Sequence, residues 1–208
     1  MNYQKEFDAM LESIKMCSEV SITEQDFYIK EEILPSFYKK YRYAKLLGEE
    51  IKVLNDNKIR WVYSHTEGEE LPMGETHLIS IEEIVSGRSN VEVKVQTSRE
   101  KDGLKLIPFD DHPTAGDGII ACLRFIDDRY EIWLCDNNFI GFKIDLSLSE
   151  YLEKLVELKA IYGWQYLFAE IDFKSETVNV IRKELRERLM ILHKCFPDLS
   201  VSNYMQKL

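Results

Sequence analysis

The chain has no run of five or more basic residues, and its densest basic stretch, Arg182 to Arg188, is interrupted by Glu184 and Glu187. Neutralising phosphates supplies much of the affinity of nucleic-acid binders, so DNA and RNA are disfavoured as partners, and anionic membrane surfaces with them. Long apolar runs are missing too. No uninterrupted stretch approaches the roughly 18 residues of a membrane span. Residues 1 to 20 carry Lys5, Glu6, Asp8, Glu12 and Lys15 where a signal peptide would be apolar. Cysteine is sparse: Cys17, Cys122, Cys135 and Cys195 form no CxxC pair and no zinc-type spacing with histidine. They are expected to be free, reduced thiols in a cytoplasmic protein. Gly116-Asp117-Gly118 is too short for a phosphate loop, so no cofactor is expected. Internal repeats and low-complexity segments are absent as well.

What is present is an ordinary globular composition over 208 residues, 45% hydrophobic and 31% charged, enough for a sizeable core in a single domain spanning 1–208. The 27 basic and 37 acidic residues leave a net charge of −10. An acidic surface of this kind can steer a basic protein partner.

Three regions follow along the chain. Residues 1 to about 48 read as helical: Tyr3, Phe7, Met10, Leu11 and Ile14 recur at helical spacing. Ser21-Ile22-Thr23-Glu24 has the form of a capping box opening a second helix, Pro35 suits a first turn, and Gly48 is a C-terminal cap. From about 49 to 145 the period changes to that of strands, over 59–63, 76–79, 91–95, 119–125 and 130–135, with a helical turn at 80–84 ending at Gly87 and loops at 66–74 and 98–103. Pairing the last two strands about Asp127-Asp128 sets Arg124 opposite Glu131 and places Ala121, Leu123, Phe125, Tyr130, Ile132 and Leu134 on one face. Cys122, Trp133 and Cys135 take the other face, the two cysteines too far apart diagonally for a disulfide. Helices return at the end, one capped by Ser147 and Glu150, one running from Ser175 to Pro197. The order of helices, sheet and helices predicts an α+β fold, a mixed central sheet with N-terminal and C-terminal helices packed on it.

Two segments could carry function. Asp110, Asp111, His112 and Asp117 lie in one stretch and could hold a divalent metal for a metal-dependent hydrolase. The same Asp, Gly and Pro content suits a strand-linking turn, which is the preferred reading; no metal or catalytic residue is therefore assigned. Alanine at Asp110, Asp111 and His112 is then expected to leave the fold intact. His65, His77, His112 and His193 are otherwise scattered. Trp164 and Tyr166, beside Tyr162 and Phe168, form either a packed helix junction or an anchor for a partner.

The order of local patterns resembles the SUKH superfamily of bacterial toxin-immunity proteins and fungal cell-wall-synthesis regulators. Leu34-Pro35-Ser36-Phe37-Tyr38-Lys39-Lys40-Tyr41 is similar to that family's entry helix, and His77 to Ile84 to its strand and helical turn. Pro108-Phe109-Asp110 and Gly116-Asp117-Gly118 resemble parts of its central sheet, and Ser149-Glu150-Tyr151-Leu152 its closing helix. The likeness spans about residues 20–160, leaving 161–208 as a C-terminal helical extension, and Leu47-Gly48 stands where the family has Asn-Gly. It implies binding without catalysis, specifically an immunity protein that neutralises a toxin. On this reading the partner is a protein, a basic toxin being favoured by charge. The contact residues are expected to be Asp127, Asp128 and Asp136, clustered near the hairpin, with Trp164 and Tyr166. A hydrolase and a structural adaptor stand as alternatives.

Overall fold

The computed structural model describes residues 2–33, 35–64, 70–86, 91–94, 104–112, 119–175 and 178–208. Helix α1 (Tyr3–Met16) leads into strand β1 (Val20–Asp26), helix α2 (Pro35–Lys40) and a 3₁₀ stretch (Arg42–Lys52) kinked at Gly48, whose φ is +62°. Strands β2 (Asn57–Ser64) and β3 (Glu70–Leu78), helix α3 (Ile81–Ser86) and strands β4 (Val91–Val93) and β5 (Leu104–Asp111) follow. Then come β6 (Ile120–Ile126), β7 (Arg129–Cys135) and β8 (Gly141–Ile144), helix α4 (Leu148–Glu157), a 3₁₀ turn (Trp164–Phe168), and helices α5 (Asn179–Cys195) and α6 (Ser202–Lys207). The α+β class is as expected. The eight strands form one sheet in the order β1-β2-β3-β5-β6-β7-β8, with β4 pairing β5. Every pairing between these strands is antiparallel, and a parallel contact occurs at the isolated Lys94–Ile140 bridge.

The β6–β7 hairpin has the register its sequence dictates. Arg124 faces Glu131, their charged groups 3.7 Å apart, and Ala121, Leu123 and Phe125 face Leu134, Ile132 and Tyr130. Alternation then sorts the side chains into two clusters. Leu123, Ile132 and Leu134 join the main core with α1, α4, the 3₁₀ turn and α5. Cys122, Trp133 and Cys135 join Val93, Leu104 and Leu106 on the opposite face, under β4. The described helices contribute only to the first cluster. Helix α4 starts as its capping box requires: Ser147 Oγ accepts from Glu150 N, and the Glu150 carboxylate accepts from Ser147 N at 2.8 Å.

Several local expectations give way to pairing. Ser21 to Glu24 lies in β1, where Val20, Ser21 and Ile22 pair with Tyr63, Val62 and Trp61, so ladder hydrogen bonds replace the capping box. Residues 70–74 of the expected loop belong to β3, whose Pro72 and Gly74 are accommodated by a bulge at Trp61/Val62. Phe109 to Asp111 ends β5, and β8 was not foreseen. Helix α5 starts at Asn179 after Val178 instead of at Ser175. Among the described residues no helix is long and apolar enough to cross a membrane.

Candidate functional site

Among the described residues, the Asp110–His112 segment does not bring three metal-ligating groups together. A bulge between Pro108 and Asp110 makes Phe109 the extra residue, so Phe109 and Asp110 both turn toward the helices while Asp111 points away. Asp110, wholly enclosed, accepts hydrogen bonds from Thr76 Oγ1 at 2.7 Å, His77 N at 3.1 Å and Tyr151 Oη at 2.6 Å. Burial raises its pKa above the ordinary carboxylate value, outweighing nearby His112 and the donated hydrogen bonds. Tyr151 stays a phenol, since burial and Asp110 push its pKa well up.

The Gln165 amide extends this network, with Nε2 3.2 Å from Tyr151 Oη and 3.3 Å from His112 Nε2. An accepting Nε2 puts the His112 proton on Nδ1. Among the described residues, buried His112 Nδ1, Gln165 Oε1, Tyr162 Oη and Trp164 Nε1 have no hydrogen-bond partner. The network joins β3, β5, α4 and the 3₁₀ turn in a place closed to solvent. Its chemistry is that of a polar staple around the wholly enclosed Asp110.

Asp111 faces the other way, to a histidine clamp at the surface. His77 Nδ1 lies 2.7 Å from Asp111 Oδ1, and Nε2 lies 2.5 Å from Asp56 Oδ1. Burial alone would lower the His77 pKa, but the two carboxylates outweigh it and hold it above the usual histidine value. His77 is Asp111's partner across the β3–β5 pairing, a proximity that chain separation conceals. Asp117 lies outside the described residues.

The expected contact residues separate into three places. Trp164 is enclosed and Tyr166 nearly so, so the packed-junction reading holds and neither is offered to a partner as an exposed anchor. Trp164 lies against Tyr151 with ring centroids 4.7 Å apart. Asp127 and Asp128 are exposed at the hairpin tip, in a two-residue turn. Asp136 is not with them. It sits beyond the other end of β7, roughly 25 Å away at the rise of an extended strand. Its carboxylate is also committed, since Oδ1 accepts from Asn138 N at 2.9 Å and Ile140 N at 2.8 Å.

That commitment exposes a residue the sequence reading passed over. Phe139, in the turn braced by Asp136, has a φ of +58° and is 58% exposed. Its backbone is held on both sides: N donates to Asp136 O at 3.0 Å, and O accepts from Lys94 N at 2.8 Å. Left-handed backbone costs a bulky residue about 1–2 kcal/mol, and Asp-Asn-Asn before it is a turn signal that could have marked the site. Beside the turn runs a groove of about 420 Å³ against the start of α5, lined by Ile140, Phe142, Tyr166, Val180, Ile181 and Arg188 among others. Tyr166, though nearly buried, is among its lining residues. Arg188 stacks over Tyr162 at 5.0 Å and pairs with Glu184 at 3.2 Å, fixing the polar wall. Val180, 69% exposed, forms part of the apolar rim.

Compared with protein-family models, with curated proteins and with solved structures, the chain matches none.

Proposed function

We propose that the chain is a non-catalytic module that binds a basic protein, engaging it through the β7–β8 turn and the start of α5. One observation carries this reading: an aromatic side chain is held out to solvent on a left-handed backbone in the turn that borders a groove of mixed polar and apolar lining. Strain of this kind persists where surrounding bonds over-determine it, and it concentrates at functional sites. An exposed aromatic next to a groove is also the usual form of a binding anchor. The net charge of −10 favours a cationic partner. The divergence of Asp110 and Asp111 argues against a hydrolytic metal centre at that segment. The resemblance to SUKH proteins makes toxin neutralisation the specific form of the binding.

Two substitutions test it. Phe139→Ala removes the anchor and should weaken binding by about 2 kcal/mol, close to 30-fold in Kd. Phe139→Gly relieves the backbone and should raise the unfolding temperature while weakening binding to a similar degree. The measurement is the affinity of each variant for the partner retained by the native chain, alongside thermal unfolding. Equal affinity for native and Phe139→Ala protein would rule out this face.

A further inference from the structure

Cys17 closes α1 and Cys195 ends α5, so two cysteines from opposite ends of the chain meet at one corner of the fold. Their Sγ atoms and a carboxylate oxygen of Glu19 all lie within 4.8 Å of one another, and all three residues are partly buried. Local backbone structure sets them there. Cys17 N bonds back to Ile14 O at 3.2 Å and Val20 N to Cys17 O at 3.1 Å, making the tight turn from α1 into β1. Glu19 O accepts from Ser64 N at 2.8 Å, which ties the turn to β2, and Phe196 N bonds to Leu192 O at 2.8 Å at the end of α5.

The spacing suits a thiophilic cation. Zinc holds thiolate sulfur at about 2.3 Å and carboxylate oxygen at about 2.0–2.2 Å, so the edges of its tetrahedron are about 3.5–3.8 Å. Donors already gathered within 4.8 Å become three of its corners by shifts of about an ångström. Charge agrees with spacing. Lys194 Nζ lies 2.8 Å from Glu19 Oε1 and 2.8 Å from Tyr63 Oη, orienting the carboxylate from outside the cluster. Two thiolates and a carboxylate carry three negative charges, which a divalent cation and the Lys194 ammonium together neutralise. A simple cysteine pair destined for a disulfide would have no use for Glu19 or for this counter-charge.

We propose that Cys17, Glu19 and Cys195 form a binding site for a divalent cation of the zinc class, with water completing the tetrahedron. Loading releases the two thiol protons to solvent and leaves both sulfurs as thiolates. The bound ion pins the α1–β1 turn to the end of α5 at the margin of the main core, against which Cys195 packs. Sequence spacing could not show this, because the ligands come from segments 176 residues apart between Glu19 and Cys195.

The test uses the full chain, reduced and stripped of metal, with Co(II) and then Zn(II) as probes. Co(II) should bind one to one and give the thiolate-to-cobalt charge-transfer absorption of a tetrahedral site, which Zn(II) abolishes by displacement. X-ray absorption of the zinc-loaded native chain should show two sulfur neighbours at about 2.3 Å with oxygen at about 2.0 Å. That result depends on no variant folding. Cys17→Ser and Cys195→Ser should each remove the charge-transfer band, Glu19→Gln should weaken zinc binding about tenfold or more, and Cys122→Ser should change nothing. Absence of a thiolate band in the native chain would overturn the proposal, as would a band that survives the double change Cys17→Ser/Cys195→Ser. So would a Cys17–Cys195 disulfide in the purified protein combined with no metal uptake after reduction.

Discussion

Asp110 shows how much one side chain can bear. Three donors converge on it, the Thr76 hydroxyl, the backbone N of His77 and the Tyr151 hydroxyl of α4, and buried Thr76 and Tyr151 have no solvent as a substitute acceptor. Each buried group left unsatisfied costs about 1–3 kcal/mol, so Asp110→Ala should cost about 3–5 kcal/mol, a large part of a domain's stability. The fold is therefore not expected to tolerate alanine there, contrary to what a turn residue would allow. Asp110→Asn keeps an acceptor and should cost about 1–2 kcal/mol. Urea unfolding of the two variants measures both, and a loss under about 1 kcal/mol for Asp110→Ala would show the network to be dispensable. Phe139 is the opposite case, a residue whose local conformation is unfavourable and whose exposed ring is the basis of the binding proposed above.

At the level of elements, β2, β3 and the segment after α4 are locked together through one glycine. Gly74 sits opposite Trp61, and a Cβ there would fall inside the indole. The indole Nε1 donates to Lys159 O at 2.7 Å, while Glu75 N bonds to Ala160 O at 3.0 Å and Tyr162 N to Met73 O at 2.8 Å. These bonds hold Lys159 and Ala160 in consecutive left-handed conformations, φ +55° and +52°, which neither residue favours by itself. Gly74→Ala should cost about 3 kcal/mol through overpacking. In a Trp61→Phe background the same change should cost about half as much or less, because the clashing ring edge is gone. A double-mutant cycle by chemical denaturation reads the coupling; additive effects would mean the indole is not the obstacle.

Over the whole molecule, charge acts at longer range than any one contact. Asp127 and Asp128 stand exposed at the β6–β7 tip, at the far end of β7 from Asp136 and the groove. On the proposed reading they would steer a basic partner without touching it, whereas Asp136 is occupied in shaping its turn. Changing Asp127 and Asp128 together to lysine should slow association with little effect on dissociation. The slowing should fade as salt shortens the Debye length below its physiological value of about 8 Å. Association kinetics at two ionic strengths check this, and an unchanged on-rate at low salt would remove the steering role.

The sequence by itself determined what depends on neighbours along the chain or on simple periodicity. The α1 stripe, the Ser147–Glu150 cap and the β6–β7 register with its Arg124–Glu131 pair are all settled within short windows, where alternation, capping chemistry and turn length act directly. Tertiary structure decided the rest. Ser21 to Glu24 carries a helix-start pattern, yet β2 offered its backbone a ladder. Asp110 and Asp111 alternate to opposite faces of β5, and the bulge at Phe109 sets which of them enters the core and which meets His77. The groove beside Phe139 and the Cys17–Glu19–Cys195 corner each need segments far apart in the chain. Such meetings are set by which faces must be buried together. That outcome belongs to the collective packing of the sheet and its helices and is encoded in no local pattern.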